Sequence, residues 1–244
     1  MSGPRFYGVA PPGAWDEPLP GRLIVIEGTD GVGRSTQVSM LKEWLEDEGY
    51  AVVDTGLRRS QLAGPGIERA KRGHTLDPIT LNLFYATDLW DQLERQILPA
   101  LRAGMVALVD RYIFSIMARA VVRGVPRGWI EDLYGFALVP DRVIYLDIDV
   151  PGLLPRVLAR GGFDYWESGL DYTGGNDVYG SFVTHQTRLL GEFRRLAEKH
   201  AFAVVDARGS VTEVFGGLRQ EIAAVVSGMK AERAAPPGVT SPAP

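Results

Sequence analysis

Cysteine is absent from this chain of 244 residues, and histidine occurs only three times. The missing thiols exclude disulfides, zinc sites with cysteine ligands and thiol catalysis. His74, His185 and His200 lie far apart in the sequence, so we expect no histidine metal cluster and interpret each as a surface or helix residue. The chain therefore offers neither thiol chemistry nor a metal centre built on histidine.

The chain also lacks a long apolar run and a strong excess of one charge. No apolar segment reaches the length of a membrane span, and no basic segment followed by an apolar core marks the N-terminus. We therefore expect no secretory signal and a cytoplasmic location. The net charge of −4 argues against a nucleic-acid-binding surface over the whole protein, although it allows a local basic pocket.

Short apolar runs alternate with helical patterns along most of the chain. The runs predict strands and read RLIVIEG, AVVDTG, MVALVD, RVIYLDI and AFAVVDA. Helices are predicted before Gly49, from Asp77 to near Gly104, at 113–122, 127–138 and 151–160, from about Ser181 to Lys199, and at 211–227. Asp77 followed by Pro78 is typical of a helix start. This alternation predicts one α/β domain with a parallel sheet covered on both faces.

The two ends of the chain differ from this central part. Residues 1–21 are rich in proline and glycine, which predicts an irregular extension that packs through Phe6, Tyr7 and Trp15. The main domain is assigned to residues 22–228. Residues 229–244 are interpreted as a disordered tail, because AERAAPPGVTSPAP has a low-complexity composition.

The stretch GTDGVGRST follows the first predicted strand and precedes an amphipathic helix. It has the glycine spacing of a phosphate-binding loop, but Arg34 stands where that motif has lysine. Glycines let backbone N–H groups converge on phosphate oxygens, and the start of the next helix attracts the anion. The loop is predicted to bind nucleotide phosphates through Gly28, Thr29, Asp30, Gly31, Val32, Gly33, Arg34, Ser35 and Thr36.

The substitution at Arg34 leaves several interpretations open. Arginine keeps the positive charge and can contact phosphate oxygens, but it is bulkier and geometrically stricter than lysine. The loop could therefore catalyse normally, catalyse slowly, or bind nucleotide without turnover. A plain strand-to-helix turn is the other alternative, and the matching context on both sides argues against it.

Asp110 and Arg111 end the third predicted strand, in the sequence DRY. Ligands of such folds bind at the carboxyl ends of the strands. Asp110 and the Ser35 hydroxyl are therefore candidate ligands of Mg²⁺, held directly or through water. The alternative is that Asp110 only caps the following helix. The adjoining Arg111 favours the first interpretation, because it places a phosphate-binding cation beside the acid.

Four segments, IVIEGTDGVGRSTQ, LFYATD…ILPALRAG, VDRYIFS and VIYLDID, together resemble thymidylate kinase in their order and spacing. The resemblance extends from about Arg22 to Val226. It implies a P-loop NTPase-type three-layer α/β sandwich with a five-stranded parallel sheet and a lid at about 161–179. It also implies transfer of the ATP γ-phosphoryl to dTMP with Mg²⁺, usually by a homodimer. From the charge and the apolar pattern we expect no stable nucleic-acid partner and no membrane partner.

The same resemblance implies roles for individual residues. Arg34, Asp110, Arg111 and Arg160 would be catalytic, with Arg111 holding the acceptor phosphate. The acceptor side would consist of Asp30, Arg58 or Arg59, Tyr85, Arg111, Ser115 and Arg119. Tyr85 would stack on thymine, with Phe84 as the competing choice and the other ring in the core.

Several positions depart from the family pattern, mostly on the acceptor side. Leu89 replaces an arginine that would contact the thymine carbonyl edge, a change that could cost about 1–3 kcal/mol. The family's T-R-E-P-type loop appears as TGLRRS, and Arg119 adds a cation where an aromatic or amide residue is usual.

The predicted lid also differs from the family pattern. It begins after Arg156 and Arg160, two candidate cations for the transferring phosphoryl group, and then turns acidic and aromatic. Its acidic residues could approach Mg²⁺ or be exposed to solvent on a mobile loop, and we favour solvation for Asp164, Glu167 and Asp171. Tyr165 and Trp166 are expected to pack within the lid rather than contact ligand.

These departures keep three functional hypotheses open. A kinase acting on dTMP is the leading hypothesis, since the resemblance implies dTMP as the acceptor. Catalysis is favoured over binding alone, because Ser35, Asp110 and Arg111 are all present. The alternatives are a kinase with a different nucleotide acceptor and a non-catalytic ATP-binding regulator.

Overall fold

The computed structural model describes residues 5–11, 18–73, 76–174 and 177–234. Its five strands form one parallel sheet in the order β2-β3-β1-β4-β5. The strands are β1 (Arg22–Glu27), β2 (Val52–Gly56), β3 (Val106–Asp110), β4 (Arg142–Asp147) and β5 (Ala203–Asp206). All five predicted strands and their parallel arrangement are therefore confirmed.

Helices cover both faces of this sheet, as the alternating pattern predicted. They are α1 (Arg34–Asp47), α2 (Gly64–Gly73), α3 (Pro78–Gln92), α4 (Leu98–Arg102), α5 (Ile113–Val122), α6 (Arg127–Leu133), α7 (Val150–Ala159), α8 (Leu170–Thr173), α9 (Val178–Lys199) and α10 (Val211–Ala234). A π-helical turn, Leu93–Ile97, joins α3 to α4. The start of α3 is as predicted, because Asp77 accepts hydrogen bonds from the backbone N–H groups of Ile79 and Thr80.

The core consists of two apolar layers separated by the sheet. Successive strand residues point to opposite faces, so Leu23 and Val25 of β1 pack with α3–α6 and α9, whereas Ile24 and Ile26 pack with α1, α7 and α10. The three-layer α/β sandwich is therefore the observed fold. Within the described residues, no helix is both long and apolar enough to cross a membrane.

Some predicted boundaries need correction. Two short helices, α2 and α8, were not predicted, and α6 ends at Leu133 rather than at residue 138. The last helix runs to Ala234, so the part of the predicted tail from 229 to 234 is helical; Met229 is buried against the core. Residues 235–244 lie outside the described residues.

The N-terminal extension packs on the main domain through Phe6 and Tyr7, as predicted. Phe6 forms an antiparallel bridge with Leu138. The Tyr7 ring makes an edge contact with Phe114, with 5.6 Å between the ring centroids. Trp15, the third predicted contact, lies outside the described residues.

The sheet brings the functional motifs to one edge. Since β1 and β3 are neighbours in parallel register, with Ile26 opposite Asp110, the loop after β1 lies beside the DRY sequence after β3. This is the edge at which open α/β sheets bind ligands.

Candidate functional site

The loop after β1 has the backbone of an anion-binding turn. Gly28, Gly31 and Gly33 have φ values of 153°, 82° and 97°, in the region that glycine adopts without steric cost. The first turn of α1 has no side-chain cap, and α1 starts directly at the loop. Its free N–H groups and the positive end of the helix dipole can therefore bind phosphate oxygens.

The guanidinium of Arg34 is turned inward at this loop, and the side chain is only 6% exposed. Its Nε donates to Asp110, and its Nη1 donates to the carbonyl oxygens of Gly28 and Thr29, at 2.5 and 3.3 Å. The charge of Arg34 is thus committed to internal partners, which differs from the expectation of a cation directed at ATP phosphates. The planar guanidinium explains this arrangement, because its several donors can serve a carboxylate and carbonyls at once.

Two other cations lie beside the loop. Arg156 on α7 donates to the carbonyl oxygens of Val32, at 2.8 Å, and of Ala207, at 2.6 Å. Arg160 follows α7, is about half exposed and pairs with Glu167. A Cβ atom at Gly31 would lie 3.9 Å from Nη2 of Arg160, so this guanidinium is close to the loop backbone.

Asp110 and Ser35 lie together at the start of α1. The Ser35 hydroxyl donates to the Oδ2 atom of Asp110 over 3.3 Å, while Oδ1 accepts from Arg34. In the described residues, no cluster of three or more acidic, histidine or cysteine residues could hold a metal ion. A hydroxyl and one carboxylate fit Mg²⁺ that arrives with nucleotide phosphates, because this ion keeps several waters and takes few protein ligands.

The carboxylate that accepts from the backbone at the start of α5 belongs to Glu27, the last residue of β1, rather than to Asp110. Its Oε1 atom accepts from the backbone N–H groups of Tyr112 and Ser115, at 2.8 and 3.2 Å, and its Oε2 atom accepts from the Ser115 hydroxyl. Burial raises the pKa of Glu27, while these hydrogen bonds lower it. Sequence reasoning missed this role, although a glutamate at the end of a buried apolar strand was a signal for it.

Asp30 joins two arginines at the mouth of a cavity. It pairs with Arg111, and its Oδ2 atom lies 2.6 Å from Nη2 of Arg119. Arg111 has a left-handed backbone, with φ of 70°, and its N–H donates to the Ile26 carbonyl at 3.0 Å. Burial, followed by the charge of Arg119, lowers the pKa of Arg111 to about 9, so it stays protonated at pH 7.

The cavity has a volume of about 490 Å³ and adjoins the loop at Asp30. Its lining includes five of the predicted acceptor-side residues, namely Asp30, Arg58, Tyr85, Arg111 and Arg119. The structure therefore brings together most of the predicted acceptor side.

Two predicted acceptor-side residues lie elsewhere. Ser115 is fully buried and its hydroxyl points to Glu27 beneath the cavity. Arg59 pairs with Asp54 at 3.0 Å in an exposed position. Of the two candidate arginines, the structure thus places Arg58 at the cavity and Arg59 outside it.

The structure also distinguishes Tyr85 from Phe84, the two rings that were candidates for stacking on the acceptor base. Tyr85 lines the cavity, whereas Phe84 is 38% exposed and lies against Gly66 of α2. The expectation that the second ring would belong to the core is therefore wrong. Leu89 is 3% exposed and belongs to the core. Its apolar side chain has no group that could donate a hydrogen bond to an acceptor base.

The lid contacts the cavity through residues that we expected to be solvated. Glu167 pairs with Arg160, and Asp171 pairs with Arg123 at 2.7 Å. Both carboxylates are mostly buried in these pairs and both line the cavity, so solvation was the wrong expectation for Glu167 and Asp171. The opposite charges of Arg160 and Arg123 account for this placement.

Trp166 holds the lid against two helices. Its indole N–H donates to the Lys71 carbonyl on α2 over 3.2 Å, and its own carbonyl accepts from Arg123 at 3.0 Å. Within the lid, Trp166 makes an edge contact with Tyr165, with 5.5 Å between the ring centroids, and both residues also line the cavity. Residues 175 and 176 of the predicted lid lie outside the described residues.

Sequence reasoning missed two cations of the cavity, Lys71 and Arg123. They come from α2 and from the residue after α5, about fifty positions apart in the chain. Lys71 belongs to the basic stretch ERAKRG, which was the only local signal.

The glycine-rich loop, the acid beside it and the arginine-lined cavity lie at one edge of the sheet. Together they form the arrangement of a P-loop phosphotransferase. The model of the family described as thymidylate kinase matches residues 26–215. The chain therefore belongs to the thymidylate kinase family, as the resemblance implied.

Three curated relatives illustrate the similarity. The chain is 33% identical to "Probable thymidylate kinase 2" of Saccharolobus solfataricus over 202 residues, 82% of this chain and 94% of that protein. It is 34% identical to "Thymidylate kinase" of Clavibacter michiganensis subsp. michiganensis, covering 86% and 98% of the two chains. It is 31% identical to "Probable thymidylate kinase" of Thermococcus gammatolerans, covering 83% and 98%.

Proposed function

We propose that this protein transfers the γ-phosphoryl group of ATP to dTMP and so produces dTDP. The observation that carries the proposal is the position of Arg111, between the phosphate-binding loop and the cavity. Its Nη2 pairs with Asp30, while its buried Nε has no hydrogen-bond partner among the described residues. A buried donor without a partner is costly, and a phosphate oxygen of the acceptor would satisfy it.

On this proposal, the backbone N–H groups of residues 28–36 bind the ATP phosphates. Ser35 and Asp110 hold Mg²⁺, which when bound neutralises charge on the phosphate oxygens. Arg160, beside Gly31, lies on the loop side of the cavity and balances charge on the group in transfer. Arg34 fixes Asp110 and the loop carbonyls, so its role is to position them.

The acceptor occupies the cavity with its phosphate at Arg111 and its base along Tyr85. A phosphate oxygen of dTMP forms the new bond to the γ-phosphorus as the bond to the ADP oxygen breaks. Such transfer needs positioning and charge neutralisation more than covalent assistance. The lid covers the cavity and excludes water, which would otherwise accept the phosphoryl group.

The remaining expectations from the resemblance stay proposals. Arg58 and Arg119 contribute to acceptor binding, the protein forms a homodimer, and it acts in the cytoplasm. A different nucleotide acceptor is the second candidate function, favoured by the burial of Leu89 in the core and by Arg119 at the cavity.

A panel of nucleoside monophosphates, assayed with ATP and Mg²⁺ by coupled ADP release, tests the proposal. We expect dTMP to give the highest kcat/KM. Arg111→Ala should lower that value at least about 100-fold, as for loss of one transition-state donor. Arg195→Ala is the matched control, since Arg195 pairs with Glu192 and does not line the cavity.

Two outcomes would overturn the proposal. A clear preference for another acceptor would replace dTMP while keeping the kinase. Tight ATP binding without ADP release for any acceptor would instead favour a non-catalytic regulator.

A further inference from the structure

Lys71 is a cation of the cavity that the proposed transfer does not use. It lies in the last turn of α2, with its Nζ 5.6 Å from the centroid of the Trp166 ring. Within the described part of the chain, no carboxylate forms an ion pair with this ammonium group. A partly buried lysine beside an aromatic ring, with no acid paired to it, has capacity to bind an acceptor group of a ligand.

The nearby carboxylates are engaged elsewhere. Glu68 pairs with Arg58, and the Oδ1 atom of Asp164 accepts from the backbone N–H of Trp166 at 2.9 Å. Burial lowers the pKa of Lys71 to about 8, and the positive charges of Arg58 and Arg119 act in the same direction. Lys71 is therefore largely protonated at pH 7, and two other cations of the cavity, Arg58 and Arg119, lie near it.

Tyr85 connects this side of the cavity to the acceptor phosphate site. The charges of both Arg58 and Arg119 act on its hydroxyl, and Arg119 also reaches Asp30 beside Arg111. A base that lies along Tyr85, with its phosphate at Arg111, would direct its far edge toward Lys71 and Arg58.

We propose that Lys71, with Arg58 beside it, binds the edge of the acceptor base and makes the pocket selective for a keto pyrimidine over the matching amino pyrimidine. Ammonium and guanidinium groups only donate hydrogen bonds, so they suit a carbonyl oxygen and disfavour an exocyclic amino group. Lys71 thereby supplies the donor that Leu89 cannot provide. This inference rests on the proposed function, because it assumes that the cavity binds the acceptor.

The test compares dTMP with 5-methyl-2′-deoxycytidine 5′-monophosphate. The two differ only in the keto or amino group at C4 and in the proton on N3. Wild-type protein should prefer dTMP by on the order of 100-fold in kcat/KM, since a site built for one hydrogen-bonding pattern rejects the other strongly. Lys71→Met should reduce this ratio about tenfold, chiefly through a higher KM for dTMP.

Two further variants separate base reading from a structural role. Lys71→Arg keeps the donors and should restore most of the preference. Lys199→Met makes the same change at an exposed lysine that pairs with Glu131, away from the cavity, and should leave the ratio unchanged.

The pH profile is an independent readout. As Lys71 loses its proton above about pH 8, the KM for dTMP should rise in the wild type, and it should rise less in Lys71→Arg. The charged groups that face Lys71 are Arg58, Glu68, Arg119 and Asp164.

An unchanged preference in Lys71→Met, with wild-type thermal stability, would overturn the inference. If the wild type phosphorylates neither nucleotide, the proposed function fails. Calorimetric titration of both nucleotides into wild type and Lys71→Met then decides the role of Lys71. A dTMP preference in binding that Lys71→Met reduces would support it, and equal binding of the two nucleotides would refute it.

Discussion

Arg34 stands where phosphate-binding loops have lysine, and its side chain contacts protein groups. Its guanidinium spans Asp110 and two loop carbonyls, so it holds the candidate Mg²⁺ ligand and the loop in one arrangement. Arg156 and Arg160 are two further cations beside the loop. The sequence revealed the substitution, but the direction of the side chain depends on Asp110, 76 positions away.

Arg34→Lys tests this interpretation at the scale of one residue. Lysine carries its donors on one nitrogen atom and cannot reach the carboxylate and both carbonyls together. We expect the nucleotide-free variant to lose about 1–3 kcal/mol of unfolding free energy, as for a buried hydrogen bond to a charged group. Denaturant unfolding measures this loss, and a variant as stable as wild type would show that these contacts do not stabilise the loop.

At the scale of elements, the strands were predictable and α2 was not. The strands are short β-branched runs, and the three central ones, β1, β3 and β4, are almost entirely buried, a pattern that local sequence carries. Helix α2 begins with Gly64, Pro65 and Gly66, which have low intrinsic helix propensity. It is stabilised by tertiary packing, with Ile67 fully buried and Gly66 against Phe84. Lys71 could not be assigned to the cavity because this helix was missed.

The contact between α8 and α9 makes stability depend on pH. His185 on α9 is 1% exposed and shares a hydrogen bond of 3.0 Å with the Tyr172 hydroxyl on α8. Burial, together with the positive charges of Arg123, Arg119 and Arg188, lowers the pKa of His185 to about 3. The folded protein thus keeps His185 neutral at pH values where the unfolded chain protonates it.

We therefore expect acid to weaken the fold through His185. Its contribution is fully present above the ordinary histidine pKa of 6.5 and is lost as the pH falls from there toward 3. The loss approaches about 1.4 kcal/mol for each pH unit in that window. Between pH 6 and 4, the unfolding free energy of His185→Asn should fall by about this much less per pH unit than that of the wild type. Identical pH dependence in both proteins would contradict the assignment.

At the scale of the whole molecule, a net charge of −4 coexists with a cavity that gathers many charged side chains. Its lining carries five cations, Arg58, Lys71, Arg111, Arg119 and Arg123, and four carboxylates, Asp30, Asp164, Glu167 and Asp171. Composition excludes a basic surface but does not reveal a local concentration of charge. The motif residues of this cavity could be predicted because they follow strands whose carboxyl ends share one edge. Lys71 lies on α2 and Arg123 directly follows α5, and no local pattern encodes the relative placement of these two helices.

The central claim is that the loop and the cavity act together in one transfer reaction. ATP labelled on the γ-phosphorus, incubated with dTMP, Mg²⁺ and the protein, tests it most directly when the products are separated. We predict label in dTDP in a one-to-one ratio with the ADP formed. Label released only as inorganic phosphate, or retained entirely in ATP, would contradict phosphoryl transfer to dTMP.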